Sequence, residues 1–175
     1  MKVIENNVCA PEGFKALGKT VGIKKSGKPD FAVIFSEITG DAAAVYTSNK
    51  VKGAPLTVTK NHLKDGKAQA IIINSGIANV CTGEKGIKDA GDIAKAVGKE
   101  LKISAKDVLV ASTGLIGAFL PMDRIKKGIK GIKNELSKNN KAAEAILTTD
   151  TVKKEIAVKV DNFTIGAIAK GSGMV

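Results

Sequence analysis

The spacing of apolar residues changes repeatedly along this chain, and that change constrains the fold more than any other feature. Residues 30–37, DFAVIFSE, and 42–49, AAAVYTSN, are β-like runs separated by the turn signal ITGD, the pattern of an antiparallel hairpin. PLTVTKNHL, from Pro55, alternates apolar and polar residues as a half-exposed strand does. AQAIIINSG is a short continuous apolar run ended by Gly76, as in a buried strand. From Asp89 the period lengthens: Ala90, Ile93, Ala94, Val97 and Leu101 fall at the spacing of an amphipathic helix. DVLVASTG returns to strand, and Pro121 then opens a helical stretch with Ile125, Ile129, Ile132 and Leu136 on one face and lysines on the other. KAAEAIL reads as a further helix, and EIAVKV and FTIGAIAK as two strands joined by a tight Asp161-Asn162 turn. The expected fold class is therefore α/β, with antiparallel or mixed sheets layered with helices and no βαβ unit carrying a glycine fingerprint.

The 175 residues suit one domain, and 43% hydrophobic content with mean hydropathy +0.04 supplies a core. No apolar run approaches a membrane span and residues 1–13 lack the apolar stretch of a secretory signal, so a cytoplasmic location and no membrane partner are expected. Cys9 and Cys81 are far apart, without C-x-x-C spacing, and His62 is the one histidine, so no metal site is expected. Cys81 follows the turn-like NSGIANV and is expected to be a small packed residue, while His62, in the lysine-rich KNHLKDGK, is expected to be exposed and without a catalytic role. The net charge of +11 raises nucleic-acid binding. Against it, Arg124 is the one arginine, aromatics are 3%, and the lysines are dispersed among acids. No nucleic-acid partner is expected; a dispersed lysine surface, or an acidic protein partner, accounts for the charge.

Four small-residue-rich loops at the ends of apolar runs are where a scaffold displays chemistry: NSGIANVCTG (74–83), ASTGLIG (111–117), TTDT (148–151) and KGSGM (170–174). In ASTGLIG, Gly114 lets backbone approach a ligand without a Cβ, and its N–H and the Thr113 hydroxyl are two donors for one carbonyl oxygen, the makings of an oxyanion hole. No nucleophile accompanies them. Ser75, Ser112 and Ser172 sit in Gly-flanked loops but none in G-x-S-x-G. Lys170, two residues before Ser172 and on the same face of an extended chain, is the one nearby group that a desolvated site turns into a base; the alternative is that the glycines simply shape a tight loop.

Taken in order, APEGFKALGKTVGIKKSGKPDFAVIFSE, NSGIANVCTG, STGLIGAFLPMDRI, AILTTDT and AKGSGMV resemble the amino-terminal part of the glutamate N-acetyltransferase, or ornithine acetyltransferase, family of arginine biosynthesis, across residues 10–175. The resemblance implies an α/β self-processing fold in which a precursor cuts itself at an Ala-Thr bond shortly after KGSGM. This chain would then be the α chain, residues 1–175 forming its single domain. The β chain would begin with the threonine nucleophile, which carries its own α-amine as base. The implied reaction is ping-pong transfer of acetyl from N-acetylornithine to glutamate, in an α2β2 assembly. No cofactor is implied; acetyl-CoA would be a second donor if the enzyme is bifunctional. Carried over by motif, Thr113 and Gly114 are the oxyanion-hole pair, and Thr148, with Thr149 as the alternative, and Lys170 bind substrate. A positive Lys170 suits substrates that each bring a carboxylate into a desolvated site.

This chain departs from the commonest form of the second motif, with Ile77 in place of asparagine and Val80 in place of alanine. The expectation is that both fill core rather than alter specificity. The competing readings are a self-processing amidase or aminopeptidase, in which water takes the acyl group, and a lysine-rich nucleic-acid-binding module.

Overall fold

The computed structural model describes residues 1–138 and 140–172. Strands β1 (Lys2–Ile4), β2 (Phe14–Lys19), β3 (Phe31–Asp41), β4 (Lys67–Ile77), β5 (Val108–Leu115), β6 (Lys154–Val160) and β7 (Phe163–Ala169) alternate with helices α1 (Ala54–His62), α2 (Gly83–Leu101), α3 (Met122–Ile129), α4 (Ile132–Glu135) and α5 (Ala142–Ala145). A four-stranded sheet runs in the order β2-β3-β4-β5, and a three-stranded antiparallel sheet in the order β1-β6-β7. In the larger sheet β2–β3 and β3–β4 are antiparallel and β4–β5 is parallel. The expected mixed α/β architecture is what forms.

Alternation along β2 and β3 sorts residues to two cores. Leu17, Phe31 and Val33 join Ile72, Val97, Val108 and Ile125 on the side covered by α2 and α3. Ala16, Ala32 and Ile34 point the other way, against Cys9, Ala142 and Ala145 of α5. The α2 face is the expected Ala90, Ile93, Ala94, Val97 and Leu101 stripe, all buried. The helix begins well before Asp89, at Gly83, and forms the crossover that parallel β4 and β5 require.

Two expected strands are not strands. PLTVTKNHL is α1: Ala54, Pro55, Val58 and Thr59 are buried, a helical rather than alternate spacing, and proline suits a first helical turn but not a sheet interior. Its polar residues have partners. Thr59 Oγ1 donates to the Val110 carbonyl (2.7 Å) and accepts from the Val110 N–H (2.9 Å), and the His62 ring donates through Nδ1 to the Val108 carbonyl (2.8 Å). Helix α1 thereby covers β5, an edge strand whose backbone groups otherwise await a partner. His62 is half-buried by this contact rather than exposed. The second miss is residues 42–49, which form no strand; Val45 is 99% exposed. β3 already has β2 on one side and β4 on the other, so no edge remains for a hairpin partner.

The stripe after Pro121 is real, with Ile125, Ile129 and Ile132 buried, but it is divided between α3 and α4 by Gly131, whose N–H donates to Glu100 Oε1 at 2.8 Å. The Asp161-Asn162 turn joins β6 to β7 as expected. Cys81 corrects a further expectation: it is exposed, with φ 57°, while Val80 is 3% exposed and fills the core in its place. Ile77 packs against the larger core, as the structural account of both departures required.

Candidate active site

The parallel β4–β5 pair sets two of the small-residue loops side by side. Asn74 lies opposite Ser112, Ser75 opposite Thr113 and Gly76 opposite Gly114. At Gly114, with φ 131°, backbone meets backbone: a Cβ there would stand 2.3 Å from the carbonyl carbon of Gly76, so only glycine allows this pairing. The polar groups just before the glycines are consumed internally. Asn74, 2% exposed, donates from Nδ2 to the Ile77 carbonyl at 2.8 Å and accepts from Ser112 Oγ. Ser75, fully buried, donates to the Ala145 carbonyl in α5. Two of the three serines considered as nucleophiles are therefore structural, and the third, Ser172, is exposed.

The Ser75–Ala145 bond fixes the end of α5, from which the chain runs into Thr148 and Thr149. Asp150 then ties this loop to the segment after β7. Its carboxylate accepts from the Gly171 N–H, from Lys154 Nζ (2.7 Å) and, more distantly, from the Thr148 N–H (3.5 Å). The side chain is 2% exposed, and the Lys154 ammonium, then the Gly171 N–H, hold its carboxyl well below the usual carboxylate range. Lys170, half-buried, donates to the Gly171 carbonyl at 2.6 Å. Gly173 and Met174 of the KGSGM motif lie outside the described residues.

An open cavity of about 700 Å³ lies where these segments meet. Thr113, Gly114, Thr148, Thr149 and Lys170 line it together, so residues singled out in three separate sequence segments share one surface. Lys24, Ser26, Gly76, Leu115 and Ile116 complete the lining. Sequence reasoning gave Lys24 and Ser26 no role, and gave none to Asp150. The signal available was slight: a Gly-Ile-Lys-Lys-Ser-Gly loop closed by Pro29 and an acid, Asp30, directly before a strand. Among the described residues no group of three His, Cys, Asp or Glu is placed to hold a metal ion, and no helix is long and apolar enough to cross a membrane.

Chemically, the lining residues carry a backbone N–H and a hydroxyl at adjacent positions of one strand end (Gly114 and Thr113), three further hydroxyls (Ser26, Thr148 and Thr149), and two ammonium groups (Lys24 and Lys170). Such groups can hold a carbonyl oxygen and a carboxylate, and among the described residues no lining hydroxyl is hydrogen-bonded to a base.

Residues 15–175 match the ArgJ family. The chain is 48% identical, over 181 residues, to the arginine biosynthesis bifunctional protein ArgJ of Caldanaerobacter subterraneus subsp. tengcongensis, covering 100% of this chain and 45% of that protein. It is 46% identical over 174 residues to the protein of the same name from Streptomyces coelicolor, covering 97% of this chain and 45% of that one. The chain thus spans about half the length of the curated relatives it matches. Among solved structures, the ornithine acetyltransferase of Mycobacterium tuberculosis, complexed with ornithine, superposes with TM-score 0.93 at 42% identity, covering 99% of this chain and 96% of that one. The arginine biosynthesis bifunctional protein ArgJ of Bacillus halodurans superposes with TM-score 0.86 at 41% identity, covering 99% and 94%.

Proposed function

The chain belongs to the ArgJ family, and on that premise we propose that it is the α chain of an ornithine acetyltransferase, moving acetyl from N-acetylornithine to glutamate in the cytoplasm. The observation that carries this reading is the convergence of Thr113, Gly114, Thr148 and Lys170 on one cavity, with groups suited to a carbonyl oxygen and a carboxylate. The nucleophile comes from a β chain, cut from the same precursor at an Ala-Thr bond, whose first residue is threonine.

The steps balance without a cofactor. The threonine hydroxyl oxygen attacks the acetyl carbonyl of N-acetylornithine while its proton passes to the threonine's own α-amine, a group with an ordinary pKa of about 7.7–8.0 and so suited to the task near neutrality. The tetrahedral oxyanion is held by the Gly114 N–H and the Thr113 hydroxyl. Collapse breaks the C–N bond, the departing ornithine amine takes the proton, and an acetyl-threonine ester remains. Glutamate's amine then attacks the ester, the threonine oxygen leaves and is reprotonated, and N-acetylglutamate is released. Thr148 contacts the substrate, and Lys170 neutralises the α-carboxylate that both amino acids share. Acetyl-CoA would be a second donor to the same threonine if the enzyme is bifunctional.

One observation supports a second chain. One face of the smaller sheet is apolar and exposed, with Val3 67%, Ile156 52%, Phe163 55% and Ile165 49% exposed, more than a free surface ordinarily leaves together. The β chain covers it, and two such αβ pairs form α2β2. Steady-state kinetics of the full precursor product test the reading. Parallel double-reciprocal lines with N-acetylornithine and glutamate are expected; acetate release at full rate without glutamate would replace the transferase with an amidase.

A further inference from the structure

Resting on that reading, we propose that Lys24 determines acceptor specificity, receiving the side-chain carboxylate of glutamate in the same cavity whose other ammonium, Lys170, takes the α-carboxylate. The donor brings one carboxylate and a side chain ending in an ammonium; the acceptor brings two carboxylates. A cavity that neutralises only the shared group would not distinguish them, and a half-buried carboxylate without a counter-charge is strongly disfavoured.

The structure supplies the second cation on a rigid mount. Loop residues 20–30 are gathered around Asp30, which is fully buried. Its carboxylate accepts from the backbone N–H groups of Val21 (2.7 Å), Ile23 (2.6 Å) and Lys24 (2.9 Å). The backbone of Asp30 is bonded in turn to the site strand: the Ser75 N–H donates to its carbonyl at 2.8 Å. The loop is thus referenced to β4 one residue before Gly76. The Lys24 stem crosses Gly76 so closely that a Cβ there would lie 3.1 Å from Lys24 Cγ, and Gly76 is paired with Gly114.

Lys24 is half-buried and lines the cavity, and it also borders a neighbouring one with Ile77 and Arg124. Burial lowers its pKa, as does Lys28, against the opposing pull of Asp30, and its Nζ donates to the Pro29 carbonyl at 2.7 Å. An ammonium has three donors, so that bond leaves capacity for a carboxylate. Facing the ammonium of the donor's side chain, the same group repels. Lys24 thus acts with opposite sign on the two substrates.

The opposite signs give the test. Lys24→Met retains an unbranched stem over Gly76 and removes the charge. In the complete, self-cleaved enzyme, acetylation by N-acetylornithine and deacetylation by glutamate are followed as separate half-reactions, with glutamine as a neutral acceptor of glutamate's shape. KM for glutamate is expected to rise roughly 10- to 100-fold, the worth of one hydrogen bond between charged groups. KM for N-acetylornithine should stay level or fall, the rate with glutamine should fall far less than that with glutamate because an amide oxygen makes the weaker bond, and Lys24→Arg should restore much of the preference for glutamate. An unchanged KM for glutamate would overturn the assignment. So would a parallel rise for both substrates, which would place Lys24 on the shared α-carboxylate, or an equal loss with glutamine, which would make its role structural. If Lys24→Met does not fold, Lys24→Arg is decisive: the assignment requires that it keep discriminating glutamate from glutamine. Failure of wild-type enzyme to accept acetyl from N-acetylornithine would instead remove the transferase reading itself, and this inference with it.

Discussion

Replacing Gly114 by alanine tests the backbone geometry on which the proposed oxyanion hole depends. An added Cβ would stand 2.3 Å from the carbonyl carbon of Gly76, 2.5 Å from its oxygen and 2.7 Å from the nitrogen of Ile77. Resting carbon contacts are about 3.5–4.0 Å, so β4 and β5 must part by roughly 1 Å at this pair. The φ of 131° adds strain in a region L-residues rarely occupy. Strain of about 1–3 kcal/mol and overpacking of about 1–3 kcal/mol sum to roughly 2–6 kcal/mol. The same separation moves the residue-114 N–H and the Thr113 hydroxyl, and a 1 Å misplacement costs about 100-fold in rate. Gly117→Ala is the internal control, since Gly117 also has positive φ, 81°, but nothing lies within 4 Å of its would-be Cβ; it should lose about 1–2 kcal/mol, the backbone part alone. Chemical denaturation and single-turnover acetylation of the complete enzyme measure both effects. If Gly114→Ala were no less stable than Gly117→Ala, or acetylated at the wild-type rate, the reasoning from strand contact to oxyanion hole would be refuted.

Further expectations follow from individual contacts. Thr113→Val, which keeps the shape and removes the hydroxyl, should lower kcat about 10²–10³-fold with a small change in KM; a change confined to KM would make Thr113 a binding group. Asp150, whose folded-state carboxyl titrates below its ordinary range, contributes stability that is present above about pH 4 and lost as pH falls further. Wild-type enzyme should therefore lose stability between about pH 4 and lower pH relative to Asp150→Asn, and parallel acid-unfolding curves would contradict the assigned contacts. Cys81 is exposed, whereas burial pushes the Cys9 thiol up to about 11; brief alkylation at neutral pH, read by peptide mass, should mark Cys81 and spare Cys9.

What the sequence disclosed follows physical lines. The α2 stripe, the apolar run of β4 and the β6–β7 turn were legible because periodicity and turn chemistry are local signals. Helix α1 was misread because its short alternation of threonines with apolar residues fits either period; the choice was made by distant partners, Val108 and Val110, which give Thr59 and His62 their hydrogen bonds. Residues 42–49 look β-like, but a strand also needs a free edge, and the occupation of both sides of β3 is invisible locally. Cys81 turned outward because the residue before it took the core position. At the candidate site, Thr113, Gly114, Thr148 and Lys170, singled out through motifs, line one cavity. Asp150 and Asp30 were missed because their work is to accept backbone N–H groups from residues brought near by folding.

The most direct measurement is the intact mass of the enzyme, expressed from its full precursor, before and after exposure to N-acetylornithine alone. The expected result is two chains in equal amount, one of them beginning with threonine and gaining the mass of a single acetyl group, on that threonine, which glutamate then removes. An acetyl group found on this chain instead, or no covalent adduct despite turnover, would contradict the proposal that the cavity supplies an oxyanion hole and a carboxylate site and takes its nucleophile from a partner.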